Sequence, residues 1–208
     1  TPNGFEDDFV WNGREFDEKR AEARRAMIRT AEATLSCKFD GEPLIVGTSG
    51  RYEFRNKGID IFLDALKQLA ETDALDREVL VYITVPSATT GPRKDLQAHL
   101  ADENSPIDPK QNRFCTHYLE HPEWDQILNS IAGSVLANPS SKVKVVFVPT
   151  YLNGRDGIFD KSYYELLVGM DMTLFPSYYE PWGYTPLEST AFSVPTLTTT
   201  LAGFGLWA

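Results

Sequence analysis

Short apolar runs alternate with segments of helical period along this chain, and that alternation leaves few folds open. Leu44 to Thr48, Val79 to Val85, Val143 to Val148, Met172 to Phe175 and Thr196 to Thr199 are apolar or β-branched runs of strand length. Between them, Ile59 to Leu69 carries apolar residues at 59, 62, 63, 66 and 69, one face of a helix. Lys161 to Val168 and Pro186 to Phe192 read as shorter helices. Strands that are apolar throughout are covered on both faces, so the expected fold is α/β: a Rossmann-like, doubly wound parallel sheet. Ligands of such sheets sit beyond the carboxyl ends of the strands. The loops Gly50 to Gly58, Pro149 to Gly157 and Pro176 to Thr185 all fall on that edge.

Two stretches lie outside the rhythm. Thr1 to Asn12 is turn-rich and acidic, and is expected to be extended. It leads into Glu15 to Leu35, an amphipathic surface helix with Phe16, Ala23, Met27 and Ala31 near helical spacing. Pro86 to Ser141 is polar and broken by prolines, with one helical patch from Trp124 to Leu136. It is too long for an ordinary connection and reads as a partly helical insertion within a single 1–208 domain. The closing GFGLWA reads as a stop without a helix or strand, as in a piece of a longer protein.

The 208 residues are enough for one sizeable core. A net charge of −10 excludes nucleic acid or an anionic membrane as the main partner. No run approaches the ~18–20 apolar residues of a membrane span. A phosphate ligand must then be held by local cations and backbone N–H groups. Cys37 and Cys115 are far apart and fit a reducing cytosol better than a disulfide framework.

The most informative stretch is PSYYEPWGYTPLES, Pro176 to Ser189. A strand, a glycine-containing loop and a helix start in that order form a phosphate site. Two glutamates, Glu180 and Glu188, bracket it. Thr185 suits an N-cap, Pro186 the first helical position, and Glu188 completes a capping box. Glu188 therefore either caps its own helix or accepts hydrogen bonds from ribose hydroxyls, and the two are compatible. The N–H groups of Gly183 to Thr185 are expected to point at a phosphate. Glu180 precedes Pro181 and lies among Tyr178, Tyr179, Trp182 and Tyr184, the lining expected of a sugar pocket.

Arg51 and Lys57 flank the loop after the first strand and supply a bidentate donor and a point charge for a diphosphate. Arg55 competes with Arg51 for that role. Neither G-x-G-x-x-G nor G-x-x-x-x-G-K-[ST] occurs, which excludes the standard dinucleotide and P-loop signatures. Cys115, His117 and His121 give C-x-H-x3-H, but no fourth zinc ligand is placed, so they are read as loop residues. His99 is read as exposed.

Taken together, PSYYEPWGYTPLES, Tyr163, the GRYEFRNKG stretch at Gly50 to Gly58, the opening TPNG and the closing AGFGLW resemble the glycogen synthases of the animal and fungal type. That resemblance implies the C-terminal, donor-binding half of a GT-B fold. It also implies transfer of glucose from UDP-glucose to the 4-hydroxyl at the end of an α-1,4-glucan, with retention. It makes Glu180, Arg51 and Lys57 the candidate catalytic residues. Glu180 is expected at the donor sugar, and the two cations at the diphosphate. Glu188 is expected at the ribose, Tyr163 on the uracil, and Gly183, Tyr184 and Thr185 at the distal phosphate, with Trp182 lining the sugar site. The implied partners are UDP-glucose or UDP, and a glucan presented by an N-terminal domain outside these residues. The setting is cytoplasmic, no metal or other cofactor is implied, and a homo-oligomer is possible in the longer protein. Two alternatives stand: a nucleotide-sugar binding module without transfer, or a related retaining transferase using ADP-glucose.

Overall fold

The computed structural model describes residues 4–6, 8–72, 74–108 and 113–208. Thr1, Pro2 and Asn3 of the TPNG motif lie outside the described residues. The elements in chain order are α1 (Gly13–Leu35), β1 (Leu44–Ser49), α2 (Ile59–Ala70), β2 (Val79–Thr84), β3 (Thr89–Pro92), α3 (Lys94–Ala101) and β4 (His117–Leu119). They continue with α4 (Gln126–Ala132), β5 (Val143–Val148), α5 (Tyr163–Leu167), β6 (Met172–Phe175), α6 (Tyr184–Ala191), β7 (Thr196–Thr198) and α7 (Gly203–Trp207).

The apolar runs form one five-stranded sheet in the order β5-β2-β1-β6-β7. Every pairing in it is parallel. β2 and β5 are buried at every position, as expected of strands covered on both faces. The chain winds outward from β1 in both directions, so the loops after β1 and β6 open side by side at the carboxyl edge. This is the switch point where α/β sheets bind ligands.

Helix α1 is anchored to this sheet through Asp171, just before β6. Its carboxylate accepts from Arg20 Nη2 at 2.5 Å, Arg24 Nη1 at 2.9 Å and the Ile45 N–H of β1 at 2.8 Å. Burial pushes the Asp171 carboxyl up, but these donors outweigh it and hold the carboxyl below the usual aspartate range.

The segment from Pro86 to Ser141 holds more structure than expected. The Trp124 to Leu136 patch resolves into the short helix α4 with a 3-10 turn on either side, at Pro122–Trp124 and Val135–Ala137. Helix α3 and the antiparallel pair β3-β4 are additional. The segment joins the main core through Phe114, Cys115, Leu119, Ile127, Ile131 and Leu136. Within it Arg93 is fully buried, its guanidinium forked onto Asp95 at 3.1 and 2.6 Å and donating to the Cys115 carbonyl at 3.2 Å. A polar composition hid these elements, because their internal polar partners are the side chains that made the stretch look like a loop. The closing residues also differ from expectation: they form α7, held by Phe204 among its own aromatic neighbours.

Candidate active site

The basic loop leaves β1 at Gly50 and is fixed at three points. Tyr52 sits on the start of α4, where its hydroxyl accepts from the Ile127 N–H at 3.3 Å, beside the cap Asp125 that accepts from Leu128 N–H at 2.8 Å. Glu53 accepts from Asn56 Nδ2 at 2.8 Å and pairs with Arg51 at 2.9 Å. Gly58 has φ +67°, and a Cβ there would lie 1.9 Å from the Pro176 carbonyl oxygen, so the loop end presses directly against the chain leaving β6. The Tyr178 N–H then donates to the Asn56 carbonyl at 2.9 Å.

That docking brings the two halves of the candidate site together. Lys57 Nζ donates to the Glu180 carboxylate, and their side chains are only 16% and 18% exposed. Glu180 is held through its backbone as well: its N–H donates to the Leu201 carbonyl at 3.3 Å, and its carbonyl accepts from Gly203 at 3.0 Å. Arg51 is 74% exposed and faces the cavity described below. Arg55 is 85% exposed, lies 3.8 Å from Asp60 and does not line that cavity, which separates the two competing arginines.

The expected capping box at Thr185 is not formed. Helix α6 begins at Tyr184, and Gly183, at φ +100°, is the capping residue with no side-chain cap bond. The left-handed glycine turns the chain into the helix earlier than a threonine could, and Pro186 is accommodated within the first turn. Glu188 is therefore inside the helix. Its carboxylate accepts from the Tyr164 hydroxyl at 2.9 Å, and burial pushes its pKa up against the lowering effect of that bond. Tyr164 is stacked on Phe192 at 4.9 Å and touches Phe9 at 5.4 Å. Burial, reinforced by Glu188, raises the Tyr164 hydroxyl to about 12. The N–H groups of the first turn of α6 have no helical acceptors, so they remain available to an anion.

A capping box does exist one helix earlier. The Ser162 side chain accepts from the Glu165 N–H, and the Glu165 carboxylate accepts from the Ser162 N–H. The S-x-x-E signature was present in the sequence and is the signal that locates α5. It sets Tyr163 at the first helical position, its hydroxyl 2.8 Å from Ser49 Oγ at the end of β1. Burial pushes the Tyr163 hydroxyl well up.

Between these elements lies a cavity of ≈ 440 Å³ lined by Ser49, Arg51, Tyr151, Tyr163, Thr185 and Glu188, among others. It gathers Arg51, Tyr163, Thr185 and Glu188 of the expected residues. Lys57, Glu180, Trp182, Gly183 and Tyr184 do not line it. The Trp182 ring packs against Phe204 and Trp207, at 6.0 and 5.9 Å, with a buried indole N–H that has no partner. Tyr178, Tyr179 and Tyr184 are exposed. In place of the expected aromatic wall, Glu180 is paired with Lys57, and Trp182 packs with the rings of α7. Apolar rings beyond the turn, on α7, drew Trp182 inward.

The C-x-H-x3-H residues are dispersed. Cys115 is buried beside β5, and His121 is stacked on Trp124 at 4.9 Å. His117 is buried between Thr116 Oγ1 at 2.8 Å and the Asp156 carbonyl at 2.9 Å, and burial lowers its pKa. Among the described residues no cluster of three or more His, Cys, Asp or Glu could hold a metal ion. His99 is half-buried, not exposed, with Nδ1 2.8 Å from the Ser105 carbonyl. Cys37 and Cys115 are both free thiols. Among the described residues no helix is long and apolar enough to cross a membrane.

A parallel sheet with a basic loop, an acidic turn and a helix N-terminus at one switch point defines a candidate ligand site at the carboxyl edge. Comparison with known proteins gives the family. The profile described as "Glycogen synthase" matches residues 98–208, more than half of the chain, and the chain belongs to the glycogen synthase family. It is 31% identical to the glycogen [starch] synthase of Neurospora crassa, over 81% of this chain and 32% of that protein. It is 29% identical to the glycogen [starch] synthase of Caenorhabditis elegans, over 76% of this chain and 31% of that protein. It is 30% identical to the human liver glycogen [starch] synthase, over 78% and 30% respectively. The chain therefore spans about a third of the length of these curated relatives. Among solved structures, Anabaena Alr3699/HepE in complex with UDP and glucose superposes with a TM-score of 0.49 at 14% identity. That match covers 97% of this chain and 38% of that one, and it is too weak to carry an argument about the site.

Proposed function

We propose that this chain is the donor-binding half of a retaining GT-B glucosyltransferase that moves glucose from UDP-glucose to the non-reducing end of an α-1,4-glucan in glycogen synthesis. One observation carries the reading: the basic loop after β1 and the acidic turn after β6 meet at Lys57 and Glu180, next to the cavity that holds Arg51, Tyr163 and Glu188. In this reading the diphosphate lies between Arg51, Lys57 and the α6 N-terminus formed by Gly183, Tyr184 and Thr185. Tyr163 offers its ring to the base, and Glu188 accepts from ribose. Trp182, two residues beyond Glu180, packs with Phe204 and Trp207 of α7.

Cleavage of the glucosyl–phosphate bond builds positive charge on the sugar and negative charge on the departing diphosphate. The cations and the helix N-terminus stabilise the departing anion, and a single preorganised donor of this kind is worth ~2.7–4 kcal/mol. Glu180 sets a negative charge near the sugar. The acceptor contacts are assigned to sequence that the curated relatives have beyond the matched third. The test has two arms. Calorimetric titration of the chain with UDP and ADP should give tighter binding of UDP. The full-length parent should elongate glycogen with UDP-glucose. Nucleotide binding without elongation would favour a binding module, and preference for ADP-glucose would favour the related transferase.

A further inference from the structure

Arg51 and Lys57 of the basic loop are each already paired with a carboxylate, but the two pairs differ in exposure. Arg51 pairs with Glu53 of its own loop at 2.9 Å, with side chains 74% and 33% exposed. Such a pair is screened by solvent and easily surrendered. Lys57 pairs with Glu180 across two loops, and both side chains are mostly shielded. Both are also anchored through their backbones. The Lys57 N–H donates to the Glu53 carbonyl at 2.9 Å, and Glu180 is bonded on both sides to the 201–203 turn. The two backbones are therefore held, and the pair can open only by rotation of its side chains. A diphosphate that approaches Lys57 competes with the Glu180 carboxylate for its charge.

Resting on the donor-site reading above, we propose that Glu180 is an internal competitor for Lys57, and that diphosphate binding exchanges the partner of Lys57. Before binding, the ammonium masks the Glu180 charge. After binding, the diphosphate holds the ammonium, and the freed carboxylate faces the sugar with its charge unmasked. Glu180 is then a positioning residue for the cation as well as the acid of the sugar site, and the site carries full negative charge at Glu180 only when a diphosphate is seated. Affinity for the free anion is lowered by the same contact.

The test is calorimetric titration of the chain with UDP and with pyrophosphate, using wild type, Glu180→Gln, Lys57→Met and the double variant. Glu180→Gln should tighten both ligands by about ten-fold, since it removes the charged competitor and keeps the shape. In the Lys57→Met background the same substitution should change affinity by less than about two-fold. A merely structural glutamate would give unchanged or weaker binding on substitution, and that result overturns the exchange. If the wild type binds neither UDP nor pyrophosphate, the donor-site reading falls and the exchange with it. If both bind and Glu180→Gln fails to tighten them, only the exchange falls. Should Glu180→Gln not fold, the wild type still decides: the Lys57 Nζ resonance of 15N-lysine-labelled chain should shift on adding pyrophosphate, and a stationary resonance overturns the proposal.

Discussion

The Tyr164 hydroxyl donates to the Glu188 carboxylate at 2.9 Å, joining the start of α5 to the interior of α6. Phe9 and Phe192 pack against the tyrosine ring and so fix the hydroxyl that holds the carboxylate at the edge of the cavity. Glu188 is neither a helix cap nor a solvated charge. It is a half-buried acid held by one neutral donor.

The pKa of Glu188 is raised by burial, and this sets the sign of its effect on stability. Between the unfolded value and the raised folded one, the native state binds more protons than the unfolded chain. Stability from this group is therefore fully present at low pH and declines as pH rises above about 4.3. Glu188→Gln should match the wild type near pH 4 and exceed it at pH 7. Urea unfolding at the two pH values measures this, and a wild type that gains on the variant with rising pH contradicts it.

Arg51 lines the cavity, is exposed, and among the described residues pairs with Glu53. Arg51→Ala should leave the thermal midpoint unchanged and weaken UDP by ~2 kcal/mol, the loss of one charge-assisted contact. Calorimetry beside a melting curve separates the two effects. Undiminished affinity would remove Arg51 from the site.

At Gly58 the left-handed φ and the Pro176 carbonyl act together. Gly58→Ala must either push the basic loop off the acidic turn or strain the backbone, at ~3 kcal/mol or more. Denaturant unfolding should show that loss, together with weakened UDP binding. A variant as stable as the wild type would mean the two loops are not in contact.

Asp171 is the opposite case from Glu188. Its pKa is lowered, because Ile45 N–H, Arg24 and Arg20 outweigh burial. Its contribution is present above the ordinary aspartate value of about 3.9 and is lost as pH falls through the lower folded value. Asp171→Ala should lose ~3 kcal/mol at pH 7, because two guanidinium groups and a strand N–H lose their acceptor. The difference from wild type should shrink at pH 3. A constant difference across that range would show that the carboxylate charge is not what anchors α1.

β2 and β5 were legible because burial on both faces leaves a plain signature, whereas β6 alternates between half-buried and buried positions and was legible from its short apolar run alone. Val143 to Val148 and Met172 to Phe175 carry the same bounds in the sequence reading and in the sheet. The boundary of α6 was not, because an ordinary cap pattern at Thr185 competed with a positive-φ glycine two residues earlier, and local pattern cannot weigh the two. The residue types of the site were readable, since a basic loop and an acidic turn announce themselves by charge. Their pairing was not: Lys57 and Glu180 are 123 residues apart and meet only through the sheet. The Trp182 placement depended on α7, whose rings offered no periodic signal in so short a helix.

In the central sheet β1 lies directly beside β6, with Val46 opposite Met172 and Gly47 opposite Thr173. Neighbouring strands are held ~4.8 Å apart by their hydrogen bonds. The span between the basic loop after β1 and the acidic turn after β6 is thus gauged by a ladder of main-chain bonds, which side-chain substitution does not touch. Insertions elsewhere, such as in the 86–141 segment, can lengthen or shorten the chain between these two loops without altering the gauge. A chain altered in that segment is thereby expected to keep the same spacing between the basic loop and the acidic turn.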